Sequence, residues 1–135
     1  MQVIIFTNSN GGVSTCIPTG EISIEAVLAK DCPEGAIIVE SSALPNQHND
    51  FYDAWELADG VVTVNKSKAV EITKKRLRTE RTPLLAAQDV LFQRALETNV
   101  DTTAIVAEKQ RLRDVTDLAT TSLTLEQLRA LTAAE

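Results

Sequence analysis

The sequence predicts an α+β protein, with a small antiparallel β-sheet unit over residues 1–64 and an α-helical unit over residues 65–135. The helical unit is expected to be a hairpin followed by a short C-terminal helix. Three observations carry this reading. Short β-branched runs punctuated by Gly, Asn and Pro fill the first half. After Gly60 there is no glycine, and apolar residues recur at helical spacing. The charge also changes at Asn65: residues 1–64 carry one basic residue, Lys30, against nine acids, a net −8, whereas residues 65–135 carry twelve Lys and Arg against ten acids, a net +2. Such a change inside a chain of net charge −6 marks two differently built halves.

In the first half, Val3-Ile4-Ile5-Phe6-Thr7 is a β-branched, apolar run. The cluster Asn8 to Gly12 tolerates positive φ, and Val13 to Ile17 alternates apolar and polar, so strand, turn and strand form a hairpin that Pro18 and Gly20 end. Ser23 caps a short helix over Ile24 to Lys30, with Ala26 and Val27 on its inner side. Pro33-Glu34-Gly35 turns the chain into a strand at Ala36 to Glu40, and Ser41 to Asp50 reads as a surface loop. Phe51 to Leu57 reads as a strand joined through Ala58-Asp59-Gly60 to Val61-Val62-Thr63-Val64, because Asp-Gly between two such runs signals a tight hairpin.

In the second half, Asn65 is a suitable N-cap for a long helical pattern. Val70, Leu77, Leu84 and Leu91 recur every seven residues, a candidate seam that Thr73, Lys74 and Arg81 make one-sided. Pro83 either kinks one long helix or starts a second one capped by Thr82. Thr98 to Thr102 breaks the pattern. Asp101 or Thr102 then opens a helix through Val115 with Ile105, Leu112 and Val115 on its apolar side. Thr124-Leu125-Glu126-Gln127 is a capping-box pattern for a last helix to Ala133.

Composition excludes several classes. At 44% hydrophobic residues the chain is too apolar for a disordered protein, and its apolar runs are too short to span a bilayer. The N-terminus carries no positive stretch before its apolar run, so no secretory signal is expected. His48 in Asn-Gln-His-Asn-Asp lacks the companions of a metal site. Cys16 and Cys32 lack metal or redox-motif spacing; Cys16 reads as a packing residue, and a disulfide between the two is left open. Asp53 and Glu56, on opposite faces of the expected strand, do not form a carboxylate pair. Gly11-Gly12 has neither the Lys nor the spacing of a phosphate loop. No catalytic, cofactor or metal residue is assigned, and the chain is expected not to be an enzyme.

Contact surfaces remain. Phe51, Tyr52 and Trp55 are three of the five aromatic residues, and with Val70, Leu77, Leu84 and Leu91 they form the candidate partner interface. Lys66 to Arg81 carries seven basic residues against two acids. Its Lys74, Lys75, Arg76, Arg78 and Arg81 are the candidate electrostatic docking residues. A nucleic-acid module on this helix is the reading from another class. It is disfavoured because the run lacks stacking aromatics and the chain has a pI of about 4.8.

Two stretches resemble a known group. The order GGVS, IPTGE, KDCPEG, IVE, then FYDAWEL and VTVN is similar to small proteins encoded among the tail and tail-fibre genes of tailed bacteriophages. The second half resembles the C-terminal helices of phage tail-fibre and tail-assembly accessory proteins. There an R-x-x-R-x-x-L-L…D helix joins a K-Q-x-L-R-D helix, matched here by Arg78, Arg81, Leu84, Leu85 and Asp89 and then by Lys109, Gln110, Leu112, Arg113 and Asp114. Where some assembly proteins have a tryptophan after that aspartate, this chain has Val90. The resemblance implies a virion structural protein at the tail or fibre-attachment region, located in the virion and assembled in the host cytoplasm, with other phage structural proteins and copies of itself as partners. A tail-fibre assembly chaperone and a capsid decoration protein are the alternatives. Neither a cofactor nor membrane insertion is implied.

Overall fold

The computed structural model describes residues 1–134 and is α+β. The chain divides into two compact units, Met1–Ala69 and Val70–Glu135.

In the first unit, strands β1 (Gln2–Thr7), β2 (Val13–Cys16) and β3 (Ile37–Glu40) form a sheet of order β2-β1-β3, antiparallel throughout. The central strand is covered on both faces, so its Val3, Ile4 and Ile5 are all buried, without the alternation of a half-exposed strand. Val3 and Ile5 join Val13, Trp55 and Val62 in one core. Ile4 points to the opposite face. There helix α1 (Ile24–Asp31) lies against β1 and β3 and buries Val27. Ser23 caps α1, its Oγ accepting from Ala26 N at 3.2 Å. At the β1–β2 turn the Asn8 side chain accepts from the N–H groups of Asn10 and Gly12 at 3.0 and 3.1 Å, and Gly11 supplies a φ of 80°.

The second sheet is the hairpin β4 (Trp55–Ala58) and β5 (Val61–Val64). Its turn residues Asp59 and Gly60 have φ values of 52° and 77°, both positive as a two-residue I′ turn requires. The expected single sheet is therefore two. The expected loop at Ser41 to Asp50 and the strand expected from Phe51 need correction as well. Residues Ser41–Ala43 and Asn46–Ala54 are 3-10 helical, and strand structure begins only at Trp55. The 3-10 run is kinked, with His48 and Phe51 at non-helical φ and ψ, and it folds back so that Trp55 Nε1 donates to the His48 carbonyl at 3.3 Å, which an extended segment could not do.

Helix α2 (Lys66–Glu97) starts at Asn65, whose Oδ1 accepts from Lys68 N at 3.1 Å. It passes through Pro83 as one helix, so Thr82 caps nothing; its hydroxyl donates to the Arg78 carbonyl within the helix. Within the second unit α2 runs to a turn at 98–102 in which Asn99 has a φ of 57°. Helix α3 (Thr103–Asp114) returns antiparallel, and α4 (Leu125–Ala130) carries the full Thr124–Gln127 capping box. Leu112, Val115 and Leu128 are buried and Ile105 is half-buried.

Candidate functional site

The aromatic cluster belongs mainly to the first unit's interior. Phe51 and Trp55 are 3% and 2% exposed, so they are core residues, and this corrects their expected place on a partner surface. Tyr52 is the exposed member, its ring 4.8 Å from that of Trp55 and tilted by 51°. Sequence alternation cannot separate a core aromatic from an interface one, since both must be apolar and neighboured by polar residues.

The heptad seam is also corrected. Val70 and Leu77 are buried, Leu84 is half-buried and Leu91 is 44% exposed. A straight helix drifts by about 20° per heptad. Over three heptads the line rotates by about 60°. The line through positions 70, 77, 84 and 91 thus does not keep to one face of the helix. Thr73, read as an interruption, is itself buried.

What emerges is a different face. Pro83, Ala86, Ala87, Val90 and Leu91 lie at i, i+3, i+4, i+7 and i+8 on α2, and all five are exposed. The spacing was present in the sequence, but the heptad competes with it and uses only Leu91. Leu96, Val100 and Val106 are further exposed apolar side chains in the half of the hairpin nearest its turn.

The basic run is largely consumed within its own unit. Arg76 donates to the Leu131 and Leu128 carbonyls at 2.8 and 3.0 Å and pairs with Glu80 at 2.7 Å. Arg81 donates to the Arg113 carbonyl at 2.6 Å. These two guanidiniums satisfy carbonyls at the C-terminal ends of α4 and α3, where positive charge complements the helix dipole. They are structural groups rather than free docking charges, a correction no spacing rule could supply, because their acceptors are 32 to 55 residues away. Lys74 lies 3.9 Å from Glu71, while Lys75 and Arg78 are exposed.

The resemblance residues meet across the hairpin. Lys109 Nζ is 2.7 Å from Asp89 and 5.0 Å from the centre of the Phe92 ring, and Arg81 reaches the backbone at Leu112 and Arg113. Gln110 donates to Asp114 along α3 at 3.0 Å. The chain end is clasped as well: Ala133 N donates to Glu80 at 3.1 Å, and Arg111 donates to the Ala133 carbonyl at 3.1 Å while gripping Glu108. Burial opposes ionisation of Glu80, but the Ala133 N–H and Arg76 outweigh it and hold the carboxyl below its ordinary value. The Arg111 hydrogen bond lowers Glu108 likewise.

Among the described residues no group of three or more His, Cys, Asp or Glu is placed to hold a metal ion, and no helix is long and apolar enough to cross a membrane. No protein-family model matches this sequence, and neither a curated protein nor a solved structure matches it significantly.

Proposed function

We propose that this chain is a non-enzymatic structural protein of a tailed-bacteriophage particle, held at the tail or fibre-attachment region by protein–protein contacts. The observation that carries the reading is the exposed apolar stripe Pro83, Ala86, Ala87, Val90 and Leu91 on a hairpin braced by its own ion pairs. A rigid helix face can bury apolar surface on a partner without reorganising first. The occupant is another structural protein of the particle, and exposed Lys75 and Arg78 on the same helix steer its approach. The resemblance supports this identity, and four of the residues that carry it, Arg81, Asp89, Lys109 and Leu112, also hold the hairpin together. They propagate a scaffold for docking rather than a reactive centre.

Quantitative mass spectrometry of purified particles tests the proposal. The chain should be present at a fixed stoichiometry with tail or fibre components, and particles stripped of tails should lose it. Presence only in lysate fractions holding free fibres would replace this reading with an assembly chaperone. Retention on tailless capsids would replace it with a decoration protein.

A further inference from the structure

The two cysteines stand 16 positions apart in the sequence and meet in the fold of the first unit. Cys16 ends β2 directly opposite Ile4 of β1. Its side chain therefore shares Ile4's face of the sheet, the face that α1 covers. Cys32 follows the last residue of α1 as its C-cap. Cys16 shares one cleft lining with Lys30 and Asp31, the residues that immediately precede Cys32, so the two thiols are neighbours, and both are free and half-buried. Cys16 also lines an open cleft of about 380 Å³, together with Ile17, Ile22, Val27 and Asp31. A small thiol reagent thus has a path to one sulfur, with the other waiting beside it.

We infer that Cys16 and Cys32 are a dithiol modification site, which small-molecule disulfides such as oxidised glutathione close to an intramolecular disulfide. The Cys16 thiolate attacks one sulfur of the reagent through the cleft, giving a mixed disulfide and releasing one reduced thiol. Cys32 then loses its proton and attacks the Cys16 sulfur, releasing the second reduced thiol and leaving the Cys16–Cys32 bond. The protein gives up two electrons and two hydrogens, and the reagent takes both. The order follows from the surroundings. Cys16 lines the cleft and meets the reagent first, whereas Cys32 does not line it, and burial, the neighbouring Cys16 thiol and the Asp31 charge push the Cys32 thiol up. The product ties the end of β2 to the end of α1 at the edge of the cleft.

The test is to expose the full-length chain to oxidised glutathione, quench with acid, alkylate, and weigh the intact protein without reduction. The expected product is a monomer two hydrogens lighter, unalkylated, whose peptide map joins the Cys16 and Cys32 peptides. It should form at least about tenfold faster in the native chain than in denaturant, because the fold raises the effective concentration of one thiol at the other. Cys32→Ser should stop at a persistent glutathione adduct on Cys16. Stable adducts on the wild-type chain, disulfide-linked dimers, or two thiols that stay alkylatable would each overturn the proposal, whether or not the variant folds.

Discussion

Trp55 and Arg76 show how a side chain's use depends on contacts that lie far away in sequence. Trp55 is buried with Val3, Ile5 and Val62 and keeps its indole N–H on the His48 carbonyl. Trp55→Ala should therefore cost about 3–5 kcal/mol in urea unfolding. Tyr52→Ala, at an exposed ring, should cost no more than about 1 kcal/mol. A partner hot spot would show the reverse, with Trp55 tolerant of change in the free protein. Arg76 serves three carbonyls and a carboxylate from one planar fork. Its replacement by Ala should cost about 1–3 kcal/mol by leaving acceptors unpaired. Arg76→Lys should recover less than half of that, since an ammonium cannot span the same acceptors. Glu80 adds a pH signature. Its folded pKa lies below the ordinary value of 4.5, so the stability it contributes is complete above that value and is lost as pH falls through the folded pKa. Urea midpoints measured from pH 6 downward should fall less steeply in Glu80→Gln than in the wild type.

At the scale of elements, local signals read well wherever a hydrogen bond closes over a few residues. Ser23, Asn65 and Thr124 cap helices as their side chains predict, and the Asp59-Gly60 turn forms because both residues tolerate positive φ. The failures arise where tertiary contacts decide. The segment Asn46–Ala54 is 3-10 helical because Trp55 is drawn into the core, and nothing within the segment announces that. Pro83 stays inside α2, because the helix is carried by contacts on both sides of the missing N–H rather than by local propensity. Helix α4 is the informative case. Six residues are too few for a stable isolated helix. Its capping box was legible; the carbonyl contacts from Arg76 and the clasp of Ala133 by Glu80 and Arg111 were not. Thr124→Ala should cost about 1 kcal/mol. It should speed amide exchange at Leu128 while leaving exchange in β1 unchanged, whereas a uniform acceleration would show that α4 opens only with the whole protein.

For the whole molecule, the partition of charge between −8 and +2 marks two differently built units, and several of the cations in it serve the fold. Lys68 pairs with Glu56 at 2.9 Å inside the first unit, and Arg76 and Arg81 are committed inside the second, so the cations most prominent in the sequence are mostly spent on folding. The exposed face that the proposed partner would bury is apolar, at Val90 and Leu91, with Lys75 and Arg78 on the same helix. These two sets should separate in experiment. Val90→Asp combined with Leu91→Asp should leave the unfolding midpoint within about 0.5 kcal/mol of wild type, because neither side chain is buried. On the proposed structural role, incorporation into particles should nevertheless drop at least about tenfold, because two charges would have to be desolvated at the proposed contact. Lys75→Glu with Arg78→Glu should instead slow association and flatten its salt dependence with a much smaller change in dissociation rate. Competition between variant and wild-type chains during particle assembly measures both effects. Equal incorporation of the Val90 and Leu91 double variant would place the docking surface elsewhere on the protein.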